Sequence, residues 1–376
     1  MARIRFLQVA DVLLRADTPE RAHALGLAFE LARTRSADAV LLVGNLFDRG
    51  SDSADQRTLV RGLIESIAPR PVVLLPGNRD VEAYGPEVDF GANAIVLAET
   101  PVSTAQVGGA ELIGVPYQHG KTLGECLTGI NSDTRHTVLL AHGTILDATG
   151  DAFSGEGEEG AFMPIFLNDL LKRSTYAALG HNHAGRNLIH RDQERLVAYA
   201  GSPVATSRRE SGPRGVLLVD FEPSVGVLEH EQISLPTPYY EHVDVFCMPG
   251  AEEPAIEELV RLAVARRQPG ARILCRLGGV SLVAERELRT ATEKALALAF
   301  AGDGTSPAAS DPNDPQSSFA ILELETACYP ALAETPVALE FVERLRACAA
   351  DDEVHDPEVM RTALQLGLDA FLESIS

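Results

Sequence analysis

Ala178-Leu179-Gly180-His181-Asn182-His183 is the stretch on which the reading of this chain turns. It closes a short apolar run, Tyr176–Leu179, with two imidazoles one residue apart. On an extended segment that spacing aims both rings at one cluster. Four upstream segments repeat the arrangement of an apolar run followed at once by polar residues. Thr137–Ala141 ends in His142, and Val72–Leu75 leads to Pro76-Gly77-Asn78-Arg79-Asp80. Ala39–Val43 leads to Gly44-Asn45-Leu46-Phe47-Asp48, and Ile4–Ala10 leads to Asp11. In a sheet with helical connections the strand ends converge on one rim, so these distant residues are expected to share a site. His, Asn and Asp are all suitable ligands for divalent metals.

The whole chain sets limits on what that site serves. Its 376 residues are enough for two or three domains, and 45% hydrophobic content supports a sizeable core. The apolar runs are strand-sized, well short of the ~20 residues a spanning helix needs, so no membrane role is expected. Met1-Ala2-Arg3-Ile4-Arg5-Phe6 enters a strand directly and offers no signal-peptide core. Cys126, Cys247, Cys275, Cys328 and Cys348 are scattered, with no Cys-x-x-Cys, which points to a reduced, cytoplasmic protein. A net charge of −22 disfavours broad non-specific nucleic-acid binding, which needs clustered cations to displace counterions. Arg186, Arg191, Arg208, Arg209 and Arg214 form a local basic stretch that reads as a solvated face.

Residues 1–120 alternate strand runs with helical patterns, at Pro19–Arg35 and Gln56–Ile67, in the order βαβαβ. Further strands are expected at Ile95–Leu97, Leu112–Val115, Thr137–Ala141, Tyr176–Leu179, Leu196–Tyr199 and Val216–Phe221. With little helix between the later ones, a mixed sheet or two packed sheets fits better than a purely doubly wound fold. Asp151–Gly160 reads as a mobile acidic loop. The organisation expected is a first domain over 1–235, an α+β unit over 238–330 with a disordered loop at 301–318, and a helix pair over 335–376. Pro336 and Pro357 sit at first helical positions behind Thr335 and Asp356. Ala338, Phe341, Val342, Leu345 and Cys348 make a stripe on the first of these helices; Met360, Leu364, Leu368, Phe371 and Ile375 do so on the second. Such stripes serve either core packing within the chain or docking of a partner helix.

The clusters, in this order, resemble the calcineurin-like metallophosphoesterases, and within them the SbcD-like nuclease subunits of bacterial DNA repair. That family carries Asp-x-His, Gly-Asp-x-Phe-Asp, Gly-Asn-His-Asp, a lone His and Gly-His-x-His. Asp11-Val12-Leu13, Gly44-Asn45-Leu46-Phe47-Asp48, Gly77-Asn78-Arg79-Asp80, His142 and Gly180-His181-Asn182-His183 stand in those places. Tyr199-Ala200-Gly201-Ser202-Pro203 resembles the segment that follows in the SbcD-like branch. The resemblance covers roughly residues 1–235. It implies an α/β fold of two packed sheets flanked by helices, a smaller α+β cap domain and C-terminal helices. It also implies a metal site drawn from Asp11, Asn45, Asn78, His142, His181 and His183.

The departures fall at chemically central positions. The family's first-motif His is Leu13, its bridging carboxylate is the neutral Asn45, and its catalytic His is Arg79. A pair of ions ~4 Å apart repels strongly and needs an anionic bridge. The resemblance therefore implies at most one weakly held, manganese-like ion, or none. The two amino-acid changes at Asn45 and Arg79 add about two positive charges, the charge of one missing ion. Arg79 is thus expected to pair with Asp11 or Asp48, to grip a phosphate, or to face solvent. Arg79 and Asp48 are the candidate catalytic groups. The function implied is an SbcD-like protein of DNA processing with weak or no nuclease activity. DNA contact would depend on a partner, an SbcC-like ATPase held by the C-terminal helices. An active single-metal phosphodiesterase using Arg79 and a non-catalytic phosphate- or nucleotide-binding regulator remain as alternatives.

Overall fold

The computed structural model describes residues 3–130, 137–146, 162–183, 187–301, 318–350 and 357–375. The loop expected at 151–160, nearly all of that expected at 301–318, and Arg186 lie outside the described residues. The chain divides into two compact units, Met1–Tyr239 and Tyr240–Ser376.

In the first unit the elements run β1 (Ile4–Val9), α1 (Pro19–Thr34), β2 (Ala39–Val43), α2 (Ser53–Ser66), β3 (Val72–Leu75), β4 (Ala94–Val96), β5 (Ser103–Val107) and β6 (Ala110–Val115). They continue with α3 (Leu123–Cys126), β7 (Thr137–His142), α4 (Leu167–Leu171), β8 (Tyr176–Gly180), β9 (Asn187–Arg191), β10 (Leu196–Tyr199), β11 (Gly215–Glu222) and β12 (Gly226–Ser234). Two six-stranded sheets result, ordered β12-β11-β1-β2-β3-β4 and β5-β6-β7-β8-β10-β9. The central strands β1 to β4 are parallel, as are β6, β7, β8 and β10. Antiparallel strands close the other positions: β11 and β12 on the first sheet, β5 and β9 on the second.

Strand alternation sorts the side chains into three apolar layers. Phe6, Leu41, Val43, Val73 and Leu75 of the first sheet meet Leu112, Val138, Leu140, Tyr176 and Ala198 of the second between the sheets. On the outer face of the first sheet, Leu7, Val9, Leu42 and Leu74 lie under Leu25, Ala28, Phe29, Val60 and Ile64 of α1 and α2. On the outer face of the second, Ile113, Leu139, Ala177 and Leu179 lie under Leu123 and Leu170 of α3 and α4. Helices are thus paired with the one sheet face that the partner sheet does not cover.

A buried amide interrupts the inter-sheet layer. Gln8 of β1 is fully buried, and its amide donates to the carbonyls of Leu179 (2.9 Å) and Ala198 (3.1 Å) across the sandwich. The Tyr176 hydroxyl donates back to Gln8 Oε1 at 2.7 Å.

The second unit holds β13 (Tyr239–Cys247), α5 (Glu252–Ala265), β14 (Ala271–Ser281), α6 (Glu285–Ala301), β15 (Phe319–Cys328), α7 (Pro336–Ala350) and α8 (Pro357–Ile375). Its sheet is ordered β13-β14-β15, with β14 and β15 parallel from Arg272↔Phe319 to Ser281↔Cys328. The helix stripes face inward: Ala338, Val342, Met360, Leu364 and Leu368 are buried with Val280, Leu282, Tyr329 and Leu332. Both helices also expose apolar residues elsewhere, Val337, Leu339, Val359 and Leu366 among them. Among the described residues, no helix is long and apolar enough to cross a membrane.

Two variants test this frame. Gln8→Leu strands the Tyr176 hydroxyl and two carbonyls in the interior and should cost about 2–4 kcal/mol in denaturant unfolding. On β11, Asp220 is 8% exposed in its side chain and takes hydrogen bonds from Arg3 and from Arg5 Nε at 2.8 Å. Burial pushes its pKa up, but the bonds from Arg3 and Arg5 outweigh it and hold the carboxyl below its ordinary value. A depressed native pKa stabilises above the unfolded value and is lost as pH falls through the native one. Asp220→Asn should therefore destabilise by about 1–3 kcal/mol at neutral pH, with the two stability curves converging as pH falls through the lowered native pKa of this carboxyl.

Candidate functional site

The loops after β1, β2, β3, β7 and β8 meet at one rim, and backbone geometry there is unusual. Asp11 (φ 52°), Leu13 (φ 55°), Asn45 (φ 51°) and His181 (φ 105°) all adopt positive φ. Non-glycine residues in that region carry about 1–3 kcal/mol of strain each, and such residues cluster at sites where side chains must be aimed. The bends are held by cross-loop bonds: Asp11 N donates to the Gly44 carbonyl, and Leu13 N to that of Asn45.

Asp11 is the centre. It is fully buried, Oδ2 accepts the His181 N–H at 2.8 Å, and Oδ1 accepts the Asn45 amide at 3.1 Å. His183 Nε2 lies 3.5 Å and His142 Nε2 3.8 Å from Oδ1. Burial pushes this carboxyl up, but the charges of His142 and His183 and the bonds from His183 and His181 overcome it and hold it well below the usual range.

The imidazoles are fixed in different ways. His142 donates from Nδ1 to the Val43 carbonyl (3.1 Å) and turns Nε2 toward Asn78 Oδ1 at 3.0 Å. Its ring fits only because Gly44 and Gly180 flank it; a Cβ on either would lie 2.0 or 2.7 Å from His142 Nδ1. Burial lowers its pKa. His181 stands edge-on to His142, with ring centres 5.4 Å apart, and also packs on Phe162. Burial, then the neighbouring His142, push it down to about 3. His183 goes the other way. Burial would lower it, yet Asp11 and Glu210 raise it to about 10. It is an imidazolium between two carboxylates, with Nδ1 at 3.0 Å from Glu210 Oε1 and 3.1 Å from Thr206 Oγ1.

Asn45 lies between Asp11 and Asn78. Its Nδ2 donates to Asp11 Oδ1 and, at 3.0 Å, to Asn78 Oδ1, while its Oδ1 accepts the Arg79 backbone N–H at 3.0 Å. Leu13 is buried and offers no donor atom. Asp48 and Arg79 stand aside from this centre. Asp48 accepts from Arg79 Nη1 at 2.9 Å and Arg15 Nη1 at 3.3 Å, with Arg21 Nη1 at 3.9 Å, so Arg79 takes Asp48 of the partners expected for it. Asp80 is buried beneath the loop, accepts the Gly77 and Phe47 N–H groups, and burial raises it to about 6.

Two groups escaped the sequence reading. Glu210 holds His183, and Arg214 is fully buried, donating to the His183 carbonyl and, at 2.7 Å, to Ser202 Oγ. The expectation of a solvated basic face is corrected at Arg214, which is part of the rim's support. Its proximity to the site follows from strand direction. β11 runs antiparallel to β1, so the start of β11 lies where β1 ends. The only sequence hint is an arginine flush against the apolar run Gly215–Phe221.

Whether a pair of divalent ions suits this donor set is decided by Asn45 and Leu13. A bridge between two ions must present lone pairs; Asn45 presents two N–H groups to Asp11 and Asn78, and its orientation is fixed by Arg79 N. Among the described residues, no three His, Cys, Asp or Glu side chains gather in metal-ligand geometry. The residues present do not fit a pair of ions. One acceptor does face another, His142 Nε2 against Asn78 Oδ1, and a single cation is compatible with that spot.

The glycine flanks give a direct test. Gly180→Ala would put its Cβ 1.9 Å from the Val43 carbonyl oxygen and crowd His142, and should cost about 3 kcal/mol or more. Gly26→Ala, in α1 with nothing within 4 Å, should stabilise by about 0.5–1 kcal/mol in the same unfolding assay.

The family model described as Calcineurin-like phosphoesterase matches residues 4–186. No curated protein matches the chain at a significant level. Among solved structures the chain is similar to GAP50, the anchor in the inner membrane complex of Plasmodium, with 10% identity, 62% of this chain and 90% of that one covered, and a TM-score of 0.39. It is similar to the purple acid phosphatase PPD1 from yellow lupin (Lupinus luteus) seeds, with 14% identity, 62% and 54% covered, and a TM-score of 0.37. It is also similar to a dimetal phosphatase from Danio rerio, with 9% identity, 61% and 98% covered, and a TM-score of 0.39. The matched span runs from β1 through His181-Asn182-His183 and takes in all five rim clusters, and the two-sheet α/β architecture is consistent with the calcineurin-like metallophosphoesterase fold.

Proposed function

We propose that this chain is an SbcD-like protein of DNA processing with little or no nuclease activity of its own, acting through a partner. The observation that carries the loss of activity is the Asn45 amide, which donates to Asp11 and Asn78 where a bridging carboxylate would have to accept cations. Leu13 and Arg79 remove a further ligand and the proton-transfer group beside Asn78. Loss of one positioned proton-transfer group alone typically costs about 10²–10⁴-fold. The order of the rim clusters, together with Tyr199-Ala200-Gly201-Ser202-Pro203, supports the SbcD-like branch. The charge of −22 gives DNA little general attraction, which favours recruitment by a partner such as an SbcC-like ATPase. The apolar residues that α7 and α8 leave exposed, Val337, Leu339, Val359 and Leu366, are the surface proposed for it.

A second reading is an active phosphodiesterase with one ion. It is favoured by the acceptor pair His142 Nε2 and Asn78 Oδ1, 3.0 Å apart. Cleavage of labelled single- and double-stranded DNA with manganese separates the two, with a His181→Ala, His183→Ala double variant as control. The expected outcome is no cleavage above the control. Robust cleavage by the unmodified chain that disappears in the control would establish the single-ion enzyme instead.

A further inference from the structure

Asn45 is 1% exposed and has every polar hydrogen and its oxygen engaged within the rim. Two N–H groups point at Asp11 Oδ1 (3.1 Å) and Asn78 Oδ1 (3.0 Å), and the Arg79 N–H fixes the oxygen end at 3.0 Å. Gly77 makes the placement available, because a Cβ there would fall 2.3 Å from Asn45 Oδ1. The loops that carry Asp11, Asn45, Asn78 and Arg79 follow three different strands, β1, β2 and β3. One amide therefore joins three strand ends, a task that elsewhere calls for a cation shared by several oxygens.

We infer that the Asn45 amide replaces cationic charge at the centre of the rim, so that the rim is fully assembled without metal. An ion set directly between Asp11 Oδ1 and Asn78 Oδ1, where Asn45 Nδ2 lies, would displace both of its N–H bonds. Ion binding there and the native network exclude one another. The inference rests on the reading of the rim as a non-hydrolytic centre, but it concerns assembly rather than turnover.

The consequence is a crossover between two single variants. Asn45→Asp removes both donors and sets a second carboxylate against Asp11, which only a cation can relieve. Asn45→Ala removes the donors without adding charge. The experiment measures melting temperature of the full chain and of each variant, in chelator and in manganese, with manganese binding to the unmodified chain followed by calorimetry. The unmodified chain should melt at the same temperature in both conditions, within about 1 °C, and give no binding heat. Asn45→Asp should melt roughly 5 °C or more lower in chelator and recover with manganese, whereas Asn45→Ala should be lowered without recovery. A manganese-dependent rise in the unmodified chain, or an Asn45→Asp protein as stable as the unmodified chain in chelator, would overturn the inference. If Asn45→Asp does not fold, the calorimetry and the Asn45→Ala comparison still decide it. The two proposals fail separately: DNA cleavage without any manganese shift counts against the functional reading alone. A manganese shift without cleavage counts against this inference alone.

Discussion

A buried carboxylate is among the costliest groups to place inside a protein, and Asp11 is placed where both sheets end. Left alone, its desolvation would cost several kcal/mol. It is compensated from both sides: by the His181 N–H from the end of β8, by the Asn45 amide from the end of β2, and by the His183 imidazolium. Because the compensating groups come from different sheets, none of these loops can move without exposing an uncompensated charge. The positive φ values at Asp11, Asn45 and His181 are the geometric counterpart of that constraint. The strain is tolerated because the carboxylate needs those donors where they are.

The same electrostatic logic organises what surrounds the centre. Charge is balanced by protein groups: Asp11 and Glu210 enclose His183, Glu210 also lies 3.4 Å from Arg214, and Asp48 collects Arg15, Arg21 and Arg79. Arg79 links two of these groups. Its backbone N–H orients Asn45, while its guanidinium turns to Asp48. Backbone and side chain of one residue thus serve two separate polar clusters.

Much of this was legible in the sequence because the central strands are uninterrupted apolar runs, and the residue that follows such a run lies at the rim. That rule located Asp11, Asn45, Asn78, His142, His181 and His183 together, and the paired N-terminal prolines located α7 and α8. It failed where apolar character is half diluted. β5 (Ser-Thr-Ala-Gln-Val) and β12 are edge strands with one face toward water, and neither was expected. Glu210 and Arg214 were missed for a different reason. They sit in a polar segment before an antiparallel strand, and strand direction is a tertiary fact that no local pattern records.

Gln8 carries a consequence for how the sandwich closes. Apolar side chains between two sheets are nearly indifferent to which neighbour they touch, so a greasy interface alone would tolerate sliding of one sheet along the other. An amide is not indifferent. The carbonyls of Leu179 and Ala198, on neighbouring strands, are met by Gln8 in one alignment, and a shift by a residue would leave them, the amide and the Tyr176 hydroxyl unmatched in a dry interior. Gln8 works as a keyway cut into the core. Three residues before Asp11, it determines which residues of the second sheet arrive opposite the first, and so which loops are in place to form a rim at all.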